Sequence, residues 1–115
     1  MKKIFKLEPA YKDYIWGGNK LKREYNKNSP YEITAESWEL SFHKDGKTML
    51  SDGRSLEEAV STASLGSNIE DFSFFPMLIK FIDAADRLSI QVHPDNEYAL
   101  AEENELVATK AITIQ

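Results

Sequence analysis

Two side chains near the middle of LSIQVHPDN, residues 88–96, are spaced so that they could bind one metal ion. Gln91 and His93 are two positions apart, and in an extended strand such residues point to the same side, roughly 6–7 Å apart. Ser89 shares that side. Imidazole suits zinc well, and an amide oxygen can complete its coordination shell. The alternative is a half-exposed strand with a solvent-facing Gln91 and a hydrogen-bonded His93, because two ligands alone do not make a metal site.

Lys80 interrupts an otherwise apolar run, FFPMLIKFIDA at residues 74–84. Burying an ammonium group without a partner costs several kcal/mol. We therefore expect Lys80 to face a cavity or a partner, and in the functional interpretation it lies in a pocket that binds an anion or an oxygen-rich ligand. Alternatively, Lys80 lies on a strand face from which its ammonium group reaches solvent.

Two further positions combine an aromatic residue with a feature typical of binding sites. Trp16 precedes a Gly pair in YIWGG and can either wall a sugar pocket or pack in the core. Glu36 lies two positions before Trp38 and is either a buried acid or an exposed strand residue. His43 follows this segment, and we expect it at the surface.

The segments around these residues have mainly strand patterns. Residues 35–43 alternate, with Glu36 on the same side as Trp38, Leu40 and Phe42, which predicts a strand with one carboxylate on its mainly apolar face. Further strands are predicted at residues 3–8, 74–84 and 88–93, after the Asp-Gly turn at 45–46, and in the last stretch, LVATKAITIQ. Ser55 and Glu58 form a capping-box signature for a short helix. Residues 67–73 read as a loop and residues 95–105 as a helix. The order predicts a mainly-β sandwich or barrel.

Composition limits the class of protein and its partners. The chain has 115 residues, 42% of them hydrophobic and 29% charged, which fits one small domain or part of a larger one. Its net charge of −5 argues against nucleic acid or an anionic membrane as a partner. There is no Cys, no apolar stretch near the roughly 18 residues of a membrane span, and no apolar segment after Lys2 and Lys3 that would make a secretory signal. A cytoplasmic location is the expectation.

Four segments taken together resemble one enzyme family. YIWGG, AESWELS, FPMLIKFIDA and above all LSIQVHPDNEYA are similar to the amino-terminal part of type I phosphomannose isomerases, from about Leu7 to about Leu106. The resemblance implies a partial cupin-like β-sandwich, or jelly roll, with a few short helices. Residues 1–115 would then be the amino-terminal portion of the catalytic domain, with a divergent tail at 107–115.

The resemblance also implies a reaction and a set of site residues. The family interconverts mannose 6-phosphate and fructose 6-phosphate with the help of one zinc ion. Gln91 and His93 match two of the zinc ligands, and Lys80 matches a lysine that points at the substrate site, where it would be catalytic. Three further residues match positions that line the substrate pocket: Ser89, Trp16 at its rim, and Glu36.

The carboxy-terminal residues depart from the family pattern. The family continues with a Gly-Lys-x-Glu segment that supplies a further zinc ligand, and later with a His and a substrate-binding Arg. Here no Glu follows Glu105 and no His follows His93. We therefore expect a truncated chain that is inactive, or nearly so, on its own. The alternatives are a non-catalytic module that binds sugar phosphates without metal, and one half of a split enzyme that needs a complementary carboxy-terminal chain.

Overall fold

The computed structural model of the protein describes residues 4–72, 75–88 and 112–114. Strands are the main regular structure in these ranges, and the helices among them are short. The predicted mainly-β fold with a few short helices is therefore confirmed. In chain order the elements are β1 (Leu7–Glu8), β2 (Ala10–Lys12), α1 (Lys20–Arg23), β3 (Glu36–Leu40), β4 (Met49–Leu50), α2 (Leu56–Ala59), two 3₁₀ helices (Thr62–Leu65 and Ser67–Asp71), β5 (Ile79–Asp83) and β6 (Ile112–Ile114).

The larger sheet of the described ranges has the strand order β2-β3-β5-β6. Strand β3 pairs antiparallel with both β2 and β5, while β5 pairs parallel with β6. The register places Trp38 of β3 opposite Lys80 of β5 and Glu36 of β3 opposite Lys12 of β2. Because side chains alternate along a strand, these four residues lie on one face of the sheet.

Strand β3 is more deeply buried than its two neighbours, β2 and β5. Glu36, Ser37 and Trp38 are all buried, although successive residues point to opposite faces. Both faces of the strand are therefore covered. The strand predicted over residues 35–43 is confirmed in its central part, Glu36–Leu40, although burial does not alternate along it.

The predicted strand at residues 3–8 is shorter than expected, and a second strand follows it. Pro9 has no backbone N–H, so it cannot donate to a sheet ladder, and β1 ends at Glu8. After Pro9 the chain enters a different sheet. Strand β1 pairs antiparallel with β4 in a two-stranded sheet, whereas β2 belongs to the larger one.

The capping box predicted for α2 is present. The Ser55 hydroxyl accepts a hydrogen bond from the Glu58 backbone N–H at 3.2 Å, and the Glu58 carboxylate accepts one from the Ser55 N–H at 3.3 Å. The loop predicted at residues 67–73 is instead a 3₁₀ helix over Ser67–Asp71. A single 3₁₀ turn needs only an i to i+3 bond, so it leaves little periodicity in a polar sequence.

The apolar run at residues 74–84 forms a strand only in its second part, Ile79–Asp83, after Pro76. The strand predicted in the last stretch of the chain is present at Ile112–Ile114. The predicted helix at residues 95–105 and the predicted strand from Ser89 to His93 lie outside the described residues. None of the helices in the described ranges combines the length and apolar character needed to cross a bilayer.

Candidate functional site

Lys80 and Glu36 form an ion pair on one face of the larger sheet. The Lys80 ammonium group donates to Glu36 Oε1 at 2.9 Å. The Glu36 side chain is only 7% exposed and the Lys80 side chain 22%. The pair forms because Lys80 lies opposite Trp38, which makes it a diagonal neighbour of Glu36 across the strands. Of the two alternatives for Glu36, a buried acid or an exposed strand residue, the structure has the buried acid. Lys80 has an acidic partner.

Trp38 binds the same carboxylate oxygen from within β3. Its indole N–H donates to Glu36 Oε1 at 2.8 Å, and its ring centroid is 5.8 Å from the Lys80 nitrogen. Hydrogen bonds to a charged acceptor are about twice as strong as neutral ones. These three side chains, Glu36, Trp38 and Lys80, are called the Glu36 cluster below.

Two residues that the sequence did not single out as site residues pack against the ring of Trp38. The Lys12 nitrogen lies 4.5 Å from the ring centroid and also donates to the Asp45 carbonyl. The His43 ring lies edge-on at 5.8 Å. His43 was expected at the surface, and its side chain is 30% exposed. The pattern of single strands could not reveal these contacts, because they depend on the register of β2 and on the turn at residues 43–46.

Trp16 lies in the loop before α1, stacked against Tyr14 with ring centroids 5.6 Å apart. Burial raises the pKa of Tyr14, and the negative charge of Glu36 raises it further, ahead of Asp45 and Asp13. Tyr14 therefore stands within the electrostatic field of the Glu36 cluster. Among the described residues, Tyr14 connects the Trp16 loop with the Glu36 cluster.

The Trp16 loop is attached to the end of β5 by backbone hydrogen bonds. The Trp16 carbonyl accepts from Ala85 N–H at 2.9 Å and from Asp86 N–H at 3.1 Å. The first Gly of the pair, Gly17, allows a close approach, because a Cβ there would lie 2.5 Å from the Ala35 Cβ. A side chain at this position would push the loop away from the sheet.

Asp83 at the end of β5 joins the same loop to α1. The Asp83 carbonyl accepts from Gly18 N–H at 3.1 Å, and its carboxylate accepts from Lys20 N–H at 2.8 Å. Asp83 is 2% exposed. A carboxylate at the first turn of a helix satisfies an N–H that would otherwise lack an acceptor. The loop, α1 and β5 are therefore fixed relative to one another.

Three of the predicted site residues, Ser89, Gln91 and His93, lie outside the described residues. Within the described ranges no group of three or more His, Cys, Asp or Glu side chains is arranged to hold a metal ion. Glu36 already accepts from Lys80 and Trp38. The described residues thus do not by themselves make a zinc site, and zinc binding by Gln91 and His93 stays a prediction.

The comparisons with known proteins point to one family. Residues 4–111 match the family model described as phosphomannose isomerase type I, catalytic domain. This match extends beyond both ends of the resemblance seen from Leu7 to Leu106. The chain is 41% identical over 102 residues to a mannose-6-phosphate isomerase of Streptococcus mutans, covering 84% of this chain and 32% of that protein. It is 35% identical over 102 residues to a probable mannose-6-phosphate isomerase of Bacillus subtilis, covering 85% and 32%.

A solved structure agrees with these relatives. The crystal structure of the mannose 6-phosphate isomerase from Bacillus subtilis matches with a TM-score of 0.73 and 33% identity, over 88% of this chain and 34% of that one. This likeness bears out the predicted fold class. The chain spans about a third of the length of the curated relatives it matches, 32% in both cases above. With a family model that matches nearly the whole of it, the chain belongs to the type I phosphomannose isomerase family.

Proposed function

We propose that this chain is the amino-terminal portion, residues 1–115, of the catalytic domain of a zinc-dependent aldose–ketose isomerase. The isomerase would interconvert mannose 6-phosphate and fructose 6-phosphate. The observation that carries the proposal is the family match over residues 4–111, together with relatives named mannose-6-phosphate isomerase. A cytoplasmic location would suit a charged sugar phosphate, which does not cross membranes freely.

Lys80 is the residue of the described site that we assign to catalysis. Aldose–ketose isomerisation moves a proton between adjacent carbons while negative charge builds on the attached oxygens. An ammonium group has three N–H donors. Among the described residues, Lys80 donates a hydrogen bond to Glu36. Its other donors are available to a substrate oxygen or to the phosphate. Positive charge held where negative charge develops is an effective form of catalysis.

The remaining predicted residues would complete the site. Gln91 and His93 would hold the zinc ion, whose role when bound is to polarise the carbonyl and hydroxyl oxygens of the sugar. Ser89 and Trp16 would line the substrate pocket, with Glu36 beside them. We propose that a carboxy-terminal portion provides the further ligands, since this sequence spans about a third of the length of its relatives.

The test is a direct assay of the purified chain by NMR, following mannose 6-phosphate and fructose 6-phosphate. The chain is expected to show little turnover with zinc alone. It is expected to gain turnover when it is co-expressed with the carboxy-terminal two-thirds of the Streptococcus mutans relative, and to lose that turnover with a chelator. In the complemented enzyme, K80Q should lower kcat/KM by at least about 100-fold.

Two results would contradict the proposal. One is the absence of both turnover and mannose 6-phosphate binding in the complemented sample, with both pieces shown to be folded and associated. The other is binding of mannose 6-phosphate by the chain alone at the same affinity with and without a chelator, and with no turnover after complementation. The second result would instead identify a non-catalytic sugar-phosphate-binding module.

A further inference from the structure

We propose that Trp38 is a positioning residue of this site. Its indole group fixes the Glu36 carboxylate so that Oε1 is fully occupied, while Oε2 accepts a hydrogen bond from a hydroxyl group of the sugar. Trp38 touches neither the sugar nor the metal in this scheme and acts through Glu36. The inference rests on the isomerase function proposed above.

Glu36 is held asymmetrically. Both of its donors in the described residues, the Trp38 indole N–H at 2.8 Å and the Lys80 ammonium at 2.9 Å, reach the same oxygen, Oε1. A donor on each oxygen would leave the carboxylate with less capacity for a ligand. Two donors on one oxygen instead fix the plane of the carboxylate and leave the second oxygen free.

The second oxygen, Oε2, differs from Oε1 in its hydrogen bonding. The described residues provide no hydrogen-bond donor to it. The Glu36 side chain is 7% exposed. A carboxylate oxygen without a protein donor is a strong acceptor, and sugar hydroxyl groups are donors of the kind that it accepts.

The ring of Trp38 is itself held too firmly to move with Glu36. Trp38 is 7% exposed, and Gly46 packs against it so closely that a Cβ there would lie 2.7 Å from the ring. The Lys12 nitrogen lies 4.5 Å from the ring centroid. The indole N–H therefore has one direction in which to donate, and that direction is toward Glu36.

The opposite face of β3 offers a matched control. Glu39 Oε1 accepts from the Ser37 hydroxyl at 2.9 Å and pairs with Lys27. As at Glu36, a neutral donor and an ammonium group reach the same carboxylate oxygen; here the neutral donor is the Ser37 hydroxyl. Because Glu39 lies away from the Glu36 cluster, E39Q perturbs a similar ion pair without touching the proposed site.

The first part of the test observes the positioning directly and needs no substrate. The chain has two tryptophans, so a ¹⁵N–¹H spectrum shows two indole signals, which W16F assigns. We expect E36Q to shift the Trp38 signal and to speed its exchange with solvent by about tenfold, because the charged acceptor is lost. E39Q should leave it unchanged. An unmoved Trp38 signal in E36Q would overturn the positioning role.

The second part measures binding of mannose 6-phosphate and of inorganic phosphate by calorimetry in the presence of zinc. We expect W38F and E36Q to weaken mannose 6-phosphate binding by about tenfold. W38F keeps the Glu36–Lys80 pair and should leave phosphate binding unchanged, since phosphate brings no sugar hydroxyl. Wild-type affinity for the sugar in both variants, or an equal loss for both ligands in W38F, would overturn the role. If the wild-type chain alone binds no sugar phosphate, the calorimetry is carried out on the complemented sample, where the same outcomes apply. If W38F does not fold, E36Q supplies the indole measurement and the loss of sugar affinity.

Discussion

At the scale of single residues, the Glu36 cluster combines a buried negative charge with two hydrogen-bond donors that stabilise it. A carboxylate that is 93% removed from solvent, the complement of its 7% exposure, is strongly unfavourable unless it is paired. Lys80 provides the opposite charge and Trp38 a second donor to the same atom. The stability of the protein and the proposed chemistry of the site therefore involve the same three side chains.

The first prediction concerns the removal of Lys80. K80M leaves the Glu36 charge buried, with Trp38 as its remaining donor among the described residues. Removing one partner of a buried ion pair typically costs about 3–5 kcal/mol, so we expect the free energy of unfolding to fall by about 3 kcal/mol. Urea denaturation followed by circular dichroism measures this change.

Two further variants test the physical reason for that loss. The double variant E36Q/K80M removes both charges and should recover part of the lost stability, whereas a simple packing defect at Lys80 would not recover. K47M breaks the Lys47–Glu57 pair, whose side chains are 43% and 46% exposed, and should leave the denaturation midpoint nearly unchanged. Equal effects of K80M and K47M would contradict the prediction.

The second prediction concerns alkaline pH. Burial and the charge of Glu36 raise the pKa of Tyr14 above its ordinary value of 10.0. Between the unfolded and folded pKa values the unfolded chain binds fewer protons, so the stability contributed by Tyr14 is full below pH 10.0 and is lost as the pH rises through the folded pKa.

Y14F should flatten this loss, which urea midpoints from about pH 9 to about pH 11 can measure. Y25F is a suitable control, because Tyr25 is 50% exposed. The prediction fails if Y14F and the wild-type chain lose stability in parallel over this range.

Sequence patterns indicated that Lys80 and Glu36 lie in unusual surroundings, but they did not identify the partners of these residues. The interruption of an apolar run indicated that Lys80 needs a pocket or a partner, and alternation placed Glu36 on the face of Trp38. Their pairing depends on the register between β3 and β5, which neither strand encodes alone. The contact of Lys12 with Trp38 depends likewise on the register of β2. Register is decided by the sum of packing on both faces of the sheet.

At the scale of elements, α2 offers a test of local sequence chemistry. Ser55 and Glu58 make both bonds of a capping box. S55A removes the hydroxyl acceptor and should lower the free energy of unfolding by about 1 kcal/mol. Thermal or urea denaturation measures the change.

A second serine provides the control for this prediction. Ser61 precedes the first 3₁₀ helix but makes no side-chain cap bond to the backbone. S61A should therefore have a smaller effect than S55A. If the two substitutions are equivalent, the stability of α2 does not depend on its capping box.

The elements differ in how well the local sequence pattern predicts them. The alternation around Trp38 and the spacing of Ser55 and Glu58 are local signals, and both elements form where they were predicted. The break at Pro9 is also local, but the transfer of the chain to a second sheet depends on β4, some 40 residues later. The 3₁₀ helix at Ser67–Asp71 has no distinctive pattern, because a single turn needs neither a hydrophobic stripe nor a cap.

At the scale of the whole molecule, the larger sheet should resist opening more than the rest of the described chain. Strand β3 is hydrogen-bonded on both sides and buried on both faces. Its amides can exchange only when β2 or β5 separates from it. The 3₁₀ helices at Thr62–Leu65 and Ser67–Asp71 lack such support and should open locally.

Hydrogen exchange followed by mass spectrometry tests this order. The peptide covering Glu36–Leu40 should exchange most slowly among the described segments, and the peptide covering residues 62–72 should exchange fastest. K80M should speed exchange in β3 more than in β4. Exchange in β3 as fast as in the 3₁₀ helices would show that the sheet does not form a stable unit.

The ion pair at the centre of the sheet also has a consequence for protein synthesis. Lys80 follows Glu36 by 44 positions, and a ribosome adds roughly 5–20 residues per second. Glu36 is therefore added to the chain roughly 2 to 9 s before Lys80. Until Lys80 is available, the Glu36 charge lacks its partner from β5, so we expect its hydration to oppose collapse around Trp38 before β5 has been translated.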